Sequence, residues 1–169
     1  KLKRKSASYK SIFSLCNALI QKDGKLEFCD MRNRVLENLQ KYGIDALVDI
    51  GGDGTLAIGA KLARECGVKV VGCPKTIDND IIGTERTFGF DTAVAMATDA
   101  VDRLHTTAES HHRVMVLEVM GRYAGWIAIY SGIAGGADVI LIPEISYDIE
   151  KVAEKINQRI ANGKRFSIV

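Results

Sequence analysis

The chain is poor in the residues that build metal and disulfide frameworks, with three histidines and four cysteines among 169 residues. Cys16, Cys29, Cys66 and Cys73 make no C-x-x-C pair, so no metal or redox spacing is present. No cleavable apolar leader opens the sequence, and reduced thiols in a cytoplasmic protein are the expectation. Long apolar runs are missing as well. Runs such as residues 114–117 and 139–142 fall far short of the ~20 residues that cross a bilayer, which points to a soluble protein without a membrane partner. There is no internal repeat and no low-complexity linker. A strong charge of one sign is also absent, Lys and Arg numbering 23 against 21 Asp and Glu. Lys1, Lys3, Arg4, Lys5 and Lys10 crowd positive charge into the first ten residues, and without them the balance is 18 against 21. A nucleic-acid surface needs positive charge along a face of the folded body, so that class is excluded and the basic arm reads as a solvated end.

What the chain does have is a core. Hydrophobic residues make up 47% and charged residues 26%, and a chain of this length can bury roughly 70% of its unfolded surface, which excludes disorder as the main state. The length fits one domain or a piece of a larger one. From residue 33 onward, apolar runs of strand length alternate with segments of helical period, the signature of βαβ units. The expected class is therefore α/β, an open, mostly parallel sheet with helices on both faces. Candidate strands span residues 46–50, 68–73, 114–119, 139–142 and 166–169, and their apolar character suits cover on both faces. Val94, Ala97, Val101 and Leu104 step by three and four, as do Ile149, Val152 or Ala153, Ile156 and Ile160, so each set is expected to form one buried helical stripe. Asp148 is placed to cap the last helix and Gly163 to close it. Residues 9–21 have the pattern of an amphipathic helix, but no strand with a glycine turn precedes it. Residues 1–32 thus read as an atypical basic, helical segment and residues 33–169 as a partial α/β domain. The last apolar run reaches Val169, where a parallel sheet normally passes into a further helix, and the expectation is a domain truncated at both ends.

Residues 46–50 run into Gly51-Gly52-Asp53-Gly54-Thr55, then a helix carrying Leu56, Ala60 and Ala63. Glycines at such a corner let backbone N–H groups approach an anion at the positive end of a helix dipole, and phosphate binding is the natural use. A tight turn needing positive φ is the other use of glycine there. Asp53 favours the first. A carboxylate facing a polyphosphate is repelled unless a cation intervenes, which suggests a Mg²⁺ ligand acting through water. Gly52, Gly54 and Ala57 also match a G-x-G-x-x-A dinucleotide pattern, but the next strand ends in Gly72-Cys73-Pro74-Lys75, where a ribose-binding acid is wanted. A Walker A motif is absent as well.

Pro74-Lys75-Thr76-Ile77-Asp78-Asn79-Asp80 follows the second strand at the sheet edge where open α/β proteins place ligands. Asp78 and Asp80, at i and i+2, can face one cleft. One would serve as general base towards a hydroxyl while the other orients the acceptor or a metal's water. Lys75 would neutralise phosphate charge; the structural alternative for this loop is an Asx-rich turn holding itself together. Arg122, in Met120-Gly121-Arg122-Tyr123, stands at the same edge of strand 114–119, and its planar fork of donors suits phosphate oxygens and a transferring phosphoryl group. Arg113 stands at the other end of that strand, either as a surface charge or as a donor to a neighbouring subunit's site. His111 and His112, adjacent on an extended segment, should diverge. Glu118 reads as a paired interior or rim carboxylate, and Trp126 and Tyr130 as packing residues.

Gly-Gly-Asp-Gly-Thr at 51–55, Pro-Lys-Thr-Ile-Asp-Asn-Asp at 74–80, Phe-Gly-Phe-Asp-Thr-Ala at 88–93 and Glu-Val-Met-Gly-Arg-Tyr-Ala-Gly-Trp at 118–126 together resemble the 6-phosphofructokinase family, from about residue 33 to the end. The glycine motif by itself is shared with NAD kinases and with diacylglycerol or sphingosine kinases; the other motifs at this spacing are specific. The resemblance implies a Rossmann-like phosphofructokinase fold and Mg²⁺-dependent phosphoryl transfer to the 1-hydroxyl of fructose 6-phosphate, giving fructose 1,6-bisphosphate in glycolysis. It also implies a homo-oligomeric parent enzyme. By motif match Asp78 is the catalytic base, and Thr76 and Asp80 assist at the transferred phosphate and the sugar. Gly52, Asp53, Gly54, Thr55 and Lys75 face the donor, with Asp53 holding the metal. Met120, Gly121 and Arg122 contact the sugar phosphate and the transition state, and Arg113 serves the adjacent subunit's sugar site. Glu144 matches a position that bacterial relatives place at an effector interface. In the family, position 54 is Gly in ATP users and Asp in pyrophosphate users, because a carboxylate there would occupy the space of the nucleotide's α-phosphate. Lys75 occurs in pyrophosphate users and in a number of ATP users. ATP is the expected donor and pyrophosphate the alternative. The family's Gly-rich opening strand and its sugar-contacting later domain are missing, so this polypeptide alone is expected to be inactive or to act only as a ligand- or partner-binding piece.

Overall fold

Strand pairing in the computed structural model is parallel throughout except at its start, as the alternation of apolar runs with helical stretches requires. The structure describes residues 17–22 and 25–169, and these divide into two units between Pro74 and Lys75. The composition boundary at residue 32 falls on the first residue of a helix and bounds neither unit.

The first unit begins with β1 (Asn17–Lys22) and β2 (Lys25–Asp30), antiparallel from Asn17 opposite Asp30 to Lys22 opposite Lys25. This corrects the helix expected over residues 9–21. The ladder with β2 takes up backbone groups that a helix would have satisfied internally, and an amphipathic pattern cannot announce such a partner. The rest of that expectation lies outside the described residues. There follow α1 (Arg32–Lys41), β3 (Leu47–Gly51), α2 (Asp53–Cys66) and β4 (Val70–Thr76). β3 and β4 run parallel in register from Leu47 opposite Val70 to Gly51 opposite Pro74. Val35 and Leu39, one turn apart on α1, meet Leu62 of α2 in a core completed by Leu47, Ile58, Cys66 and Val68. Along β3 the burial alternates: Asp49 and Gly51 are buried, while Val48 is 69% exposed and its β4 neighbour Val71 is 68% exposed. Within this unit α1 and α2 pack on the face of the strands that carries Asp49. Asp49 also breaks the apolar run, and its carboxylate is buried without a well-formed hydrogen bond among the described residues.

In the second unit the last two residues of β4 pair in parallel with β5 (Phe88–Gly89), Lys75 opposite Phe88 and Thr76 opposite Gly89. Next come α3 (Phe90–His111), β6 (Val114–Met115), α4 (Trp126–Gly135), α5 (Ile149–Ala161) and β7 (Ser167–Ile168). Val101 and Ala108 of α3 and Ile168 of β7 form the core, with Leu104, Met115, Leu117, Ala137 and Phe166 packed around them. α3 and α4 approach closely enough that a Cβ at Gly135 would lie 2.7 Å from Val101 Cβ. β6 and β7 are parallel and shorter than expected, although Leu117 N–H still reaches Val169 O at 2.9 Å. Residues 139–142 form no strand. The amides of Asp138 and Val139 converge on the single carbonyl of Ile168, and the side chains of Ile140 and Ile142 press against Gly132 and Gly125, so the segment is held by packing instead of a ladder.

Asp148 caps α5 as expected, its Oδ1 accepting Glu150 N–H at 3.0 Å, and Gly163 follows the helix with φ of 83°. The stripe on α5 is only partly covered, however: Val152 and Ile156 are half-buried, while Ile149 is 60% and Ile160 53% exposed. An ion pair also anchors the helix, with Arg159 Nη2 2.7 Å from Asp138 Oδ1 and Arg159 Nε donating to Ser167 Oγ at 3.0 Å. His111 ends α3 and His112 is its left-handed cap, φ 53°, so neither lies on an extended segment. Cys66 and Cys73 are free, and no helix among the described residues is long and apolar enough to cross a membrane.

Candidate active site

In the first unit, β3 delivers the chain into residues 51–55 and α2 starts at Asp53. Gly52 caps the helix in extended conformation, φ −82° and ψ −170°. The first intrahelical bond runs from Leu56 N–H to Gly52 O at 2.9 Å, so the amides of Asp53, Gly54 and Thr55 stand ahead of it at the positive end of the helix dipole. None of Gly51, Gly52 and Gly54 has a positive φ. The turn therefore does not need glycine for conformational reasons. Gly51 is fixed by packing, since a Cβ there would lie 2.5 Å from Thr55 Cβ and 2.6 Å from its Oγ1. Gly54 is the opposite case, with nothing within 4 Å of where its Cβ would be. The space beside Gly54 is thus open.

Asp53 is exposed in the first turn of α2. Among the described residues no three His, Cys, Asp or Glu side chains gather into a metal cage. Mg²⁺ does not need one, because it keeps several waters and is commonly held by one or two carboxylates together with a substrate's phosphates. The lone Asp53 beside free amides fits that donor set.

In the second unit, Thr76 and Asp78 come together. Asp78 N–H donates to Thr76 Oγ1 at 3.2 Å, and the Thr76 hydroxyl lies 3.4 Å from Asp78 Oδ2. Asp78 is half-buried and its Oδ1 accepts no hydrogen bond among the described residues, leaving that oxygen for a substrate. Lys75 and Asp80 are exposed and take no part in this bonding. The loop does hold itself together, but through Asn79. That residue is left-handed, φ 55°; its Oδ1 accepts Thr87 N–H at 2.9 Å and its Nδ2 donates to Glu85 O at 3.3 Å. Thr87 is 4% exposed, and its hydroxyl donates to Thr76 O at 2.8 Å. Sequence reasoning gave Asn79 and Thr87 no role. The tolerance of asparagine for left-handed backbone was a signal for the first; nothing local marked the second.

Met120, 69% exposed, leads into Gly121, whose φ of 146° and 2.5 Å approach to Ala124 O exclude any side chain. The turn leaves Arg122 exposed, its guanidinium 5.1 Å above the Tyr123 ring. Arg113 is exposed at the entry to β6, where its carbonyl accepts Ser167 N–H at 3.3 Å, so the two arginines stand at opposite ends of residues 114–119. Glu144 Oε1 accepts Gly125 N–H at 2.8 Å and steadies the start of α4 just after Arg122. Glu118 is exposed and enters no ion pair among the described residues, contrary to the pairing expected of it. Trp126 and Tyr130 pack with ring centroids 6.2 Å apart, and Tyr130 meets Phe90 edge to face at 5.4 Å.

A family model described as Phosphofructokinase matches residues 2–169, which extends the likeness over residues 2–32 that the motifs alone left out. Over 147 residues the chain is 60% identical to the ATP-dependent 6-phosphofructokinase 2 of Clostridium perfringens, covering 87% of this chain and 40% of that protein. It is 56% identical over 146 residues to a pyrophosphate–fructose 6-phosphate 1-phosphotransferase of Streptomyces coelicolor, covering 86% and 41%. Among solved structures it resembles the pyrophosphate-dependent phosphofructokinase of Marinobacter aquaeolei with a TM-score of 0.74 at 30% identity, covering 82% of this chain and 39% of that one. The chain thus spans about two fifths of the length of the curated relatives it matches.

Proposed function

The chain belongs to the phosphofructokinase family, and from that membership we propose that it is part of an enzyme transferring the γ-phosphoryl group of ATP to the 1-hydroxyl of fructose 6-phosphate. The observation that carries this reading is the match of the phosphofructokinase family model to residues 2–169 of a chain whose half-buried Asp78 keeps one carboxylate oxygen free. In the proposed reaction Asp78 takes the proton of the sugar hydroxyl as that oxygen attacks phosphorus. The new O–P bond forms as the bond to the β-phosphate oxygen breaks, and ADP leaves with the electron pair. Thr76, bonded to Asp78, holds the carboxylate in line, and Asp80 assists at the sugar. The Arg122 fork matches the three oxygens on which charge develops, and the Met120–Gly121 turn presents it. Arg113 is assigned to the sugar site of a neighbouring copy in a homo-oligomer. Gly52, Gly54 and Thr55 offer backbone to the donor phosphates, and Lys75 adds a positive charge. Asp53 would hold Mg²⁺, which neutralises charge on the donor phosphates when bound.

Pyrophosphate is the second reading, favoured by the Streptomyces coelicolor relative's name and by Lys75. Gly54 weighs against it, since the open space there admits a nucleotide's α-phosphate. A chimera in which this chain replaces the matching stretch of the Clostridium perfringens relative tests both. Assayed for fructose 1,6-bisphosphate with each donor, it is expected to have the higher kcat/KM with ATP. A higher value with pyrophosphate would reverse the donor assignment, and no transfer from either donor would overturn the enzymatic reading.

A further inference from the structure

Asp78 sits in a loop whose own residues make only one turn of hydrogen bonds, Asp78 N–H to the Thr76 hydroxyl and that hydroxyl back to the carboxylate. Such a turn fixes local shape but ties the carboxylate to nothing rigid. The tie comes from further along the chain. Asn79 uses both ends of its amide, Oδ1 taking Thr87 N–H at 2.9 Å and Nδ2 giving to Glu85 O at 3.3 Å. Thr87 returns a bond from its hydroxyl to Thr76 O at 2.8 Å. These three bonds close residues 76–87 into a clip around Asp78. The closing residue is buried, and Phe90 N–H donates to Thr87 O at 3.2 Å at the head of α3, a helix of 22 residues. Phe90 itself is 1% exposed. The clip is thereby fastened to the longest rigid element of the unit.

We propose that Asn79 and Thr87 are positioning residues for Asp78, acting through this clip to hold its carboxylate at the reacting hydroxyl. The inference rests on the phosphofructokinase reading for its chemistry, and on the bonds alone for its geometry. The two residues need each other. Asn79 can sit at φ 55° because its amide bonds offset the strain of left-handed backbone, and Thr87 can be buried because both its polar groups are satisfied within the clip. Because neither touches the transferred group, their loss should misplace the base and lower kcat while leaving sugar binding nearly intact. Misplacement of a catalytic group by about 1 Å can cost on the order of a hundredfold in rate.

Thr87→Val keeps the volume and removes the hydroxyl, Thr87→Ser restores the hydroxyl, and Asn79→Gly keeps the backbone conformation while removing both amide bonds. In the chimera, Thr87→Val and Asn79→Gly are expected to lower kcat by roughly 10- to 100-fold with the KM for fructose 6-phosphate changed less than about threefold, and Thr87→Ser to recover most of that loss. Amide hydrogen exchange on the 169-residue chain supplies the geometric readout. In Thr87→Val the Asp78 amide should exchange about tenfold faster while amides in the middle of α3 keep their protection. An unchanged kcat, a loss carried by a rise in KM instead of a fall in kcat, no recovery in Thr87→Ser, or an unaltered Asp78 amide would each overturn the proposal. A chimera that transfers no phosphoryl group at all counts against the functional reading, and the exchange result then decides the clip by itself.

Discussion

Replacing Asp49 with alanine should make this protein more stable. Asp49 lies on β3, facing α2, at 5% exposure, and neither of its carboxylate oxygens has a well-formed hydrogen bond among the described residues, the backbone N–H of Gly59 being the one nearby donor that acts on it. A Cβ placed at Gly59 would meet Asp49 Oδ2 inside contact distance and would lie 3.1 Å from its Cγ, so the carboxyl is wedged against the helix where glycine leaves room. Burial without a well-formed hydrogen bond costs about 1–3 kcal/mol, and more if the group is ionised. Losing the few contacts of a carboxyl gives back only part of that, so Asp49→Ala is expected to gain about 1–2 kcal/mol near neutral pH. The gain should depend on pH. Burial holds the Asp49 carboxyl above its ordinary value, and the Gly59 N–H opposes that rise only in part. Below the unfolded-state value the group is protonated in both states and contributes no slope. As pH rises from there towards the folded-state value, the unfolded chain releases a proton that the folded chain keeps, and stability falls by up to about 1.4 kcal/mol per unit. Above the folded-state value the loss is complete and level. Urea unfolding of wild type and Asp49→Ala at several pH values from about 3.5 to 8 should therefore show curves that diverge upward and then run parallel. Gly59→Ala supplies the internal control. In wild type the clash should outweigh the ~1 kcal/mol of helix propensity gained, whereas in the Asp49→Ala background the two changes should couple favourably by at least about 1 kcal/mol. A destabilised Asp49→Ala, a pH-independent difference, or strictly additive changes would refute the reasoning.

Asp78→Asn in the chimera should cut kcat by roughly 10²–10⁴ with little change in the KM for fructose 6-phosphate, and a normal kcat would remove Asp78 from the role of base. Gly54→Asp should fold normally, since nothing lies within 4 Å of its Cβ, yet abolish use of ATP through crowding and like-charge repulsion; retained kcat/KM with ATP would refute it. Arg159→Met should destabilise the chain by about 2–3 kcal/mol in urea unfolding, because it strands Asp138, whose carboxylate is 14% exposed and also accepts Ile168 N–H at 3.0 Å. A loss below about 0.5 kcal/mol would mean that water already screens the pair.

The sequence by itself determined what is local. Glycines at 51–55 between an apolar run and a helical period dictated a strand, a turn with free amides and a helix, and the structure has β3, Gly52 and α2 there. The cap at Asp148 and the left-handed Gly163 were legible for the same reason, since each acts within a few residues of itself. The Thr76–Asp78 turn was contained in its own motif. Tertiary structure alone decided what depends on a partner distant in sequence. Residues 17–21 became strand because residues 25–30 were there to pair with them, and residues 139–142 did not because the Ile168 carbonyl drew the amides of Asp138 and Val139 to one point at the start of the segment. The stripe on α5 marks an apolar face, but periodicity says nothing about what covers it, and Ile149 and Ile160 remain exposed. Thr87 is eight residues from Asn79 and Asp49 ten from Gly59, so no local pattern could show that one pair holds the candidate base or that the other buries a carboxylate without a well-formed hydrogen bond. Backbone propensity and capping act over one turn of chain, whereas burial and hydrogen-bond satisfaction are set by whichever groups the folded chain brings alongside.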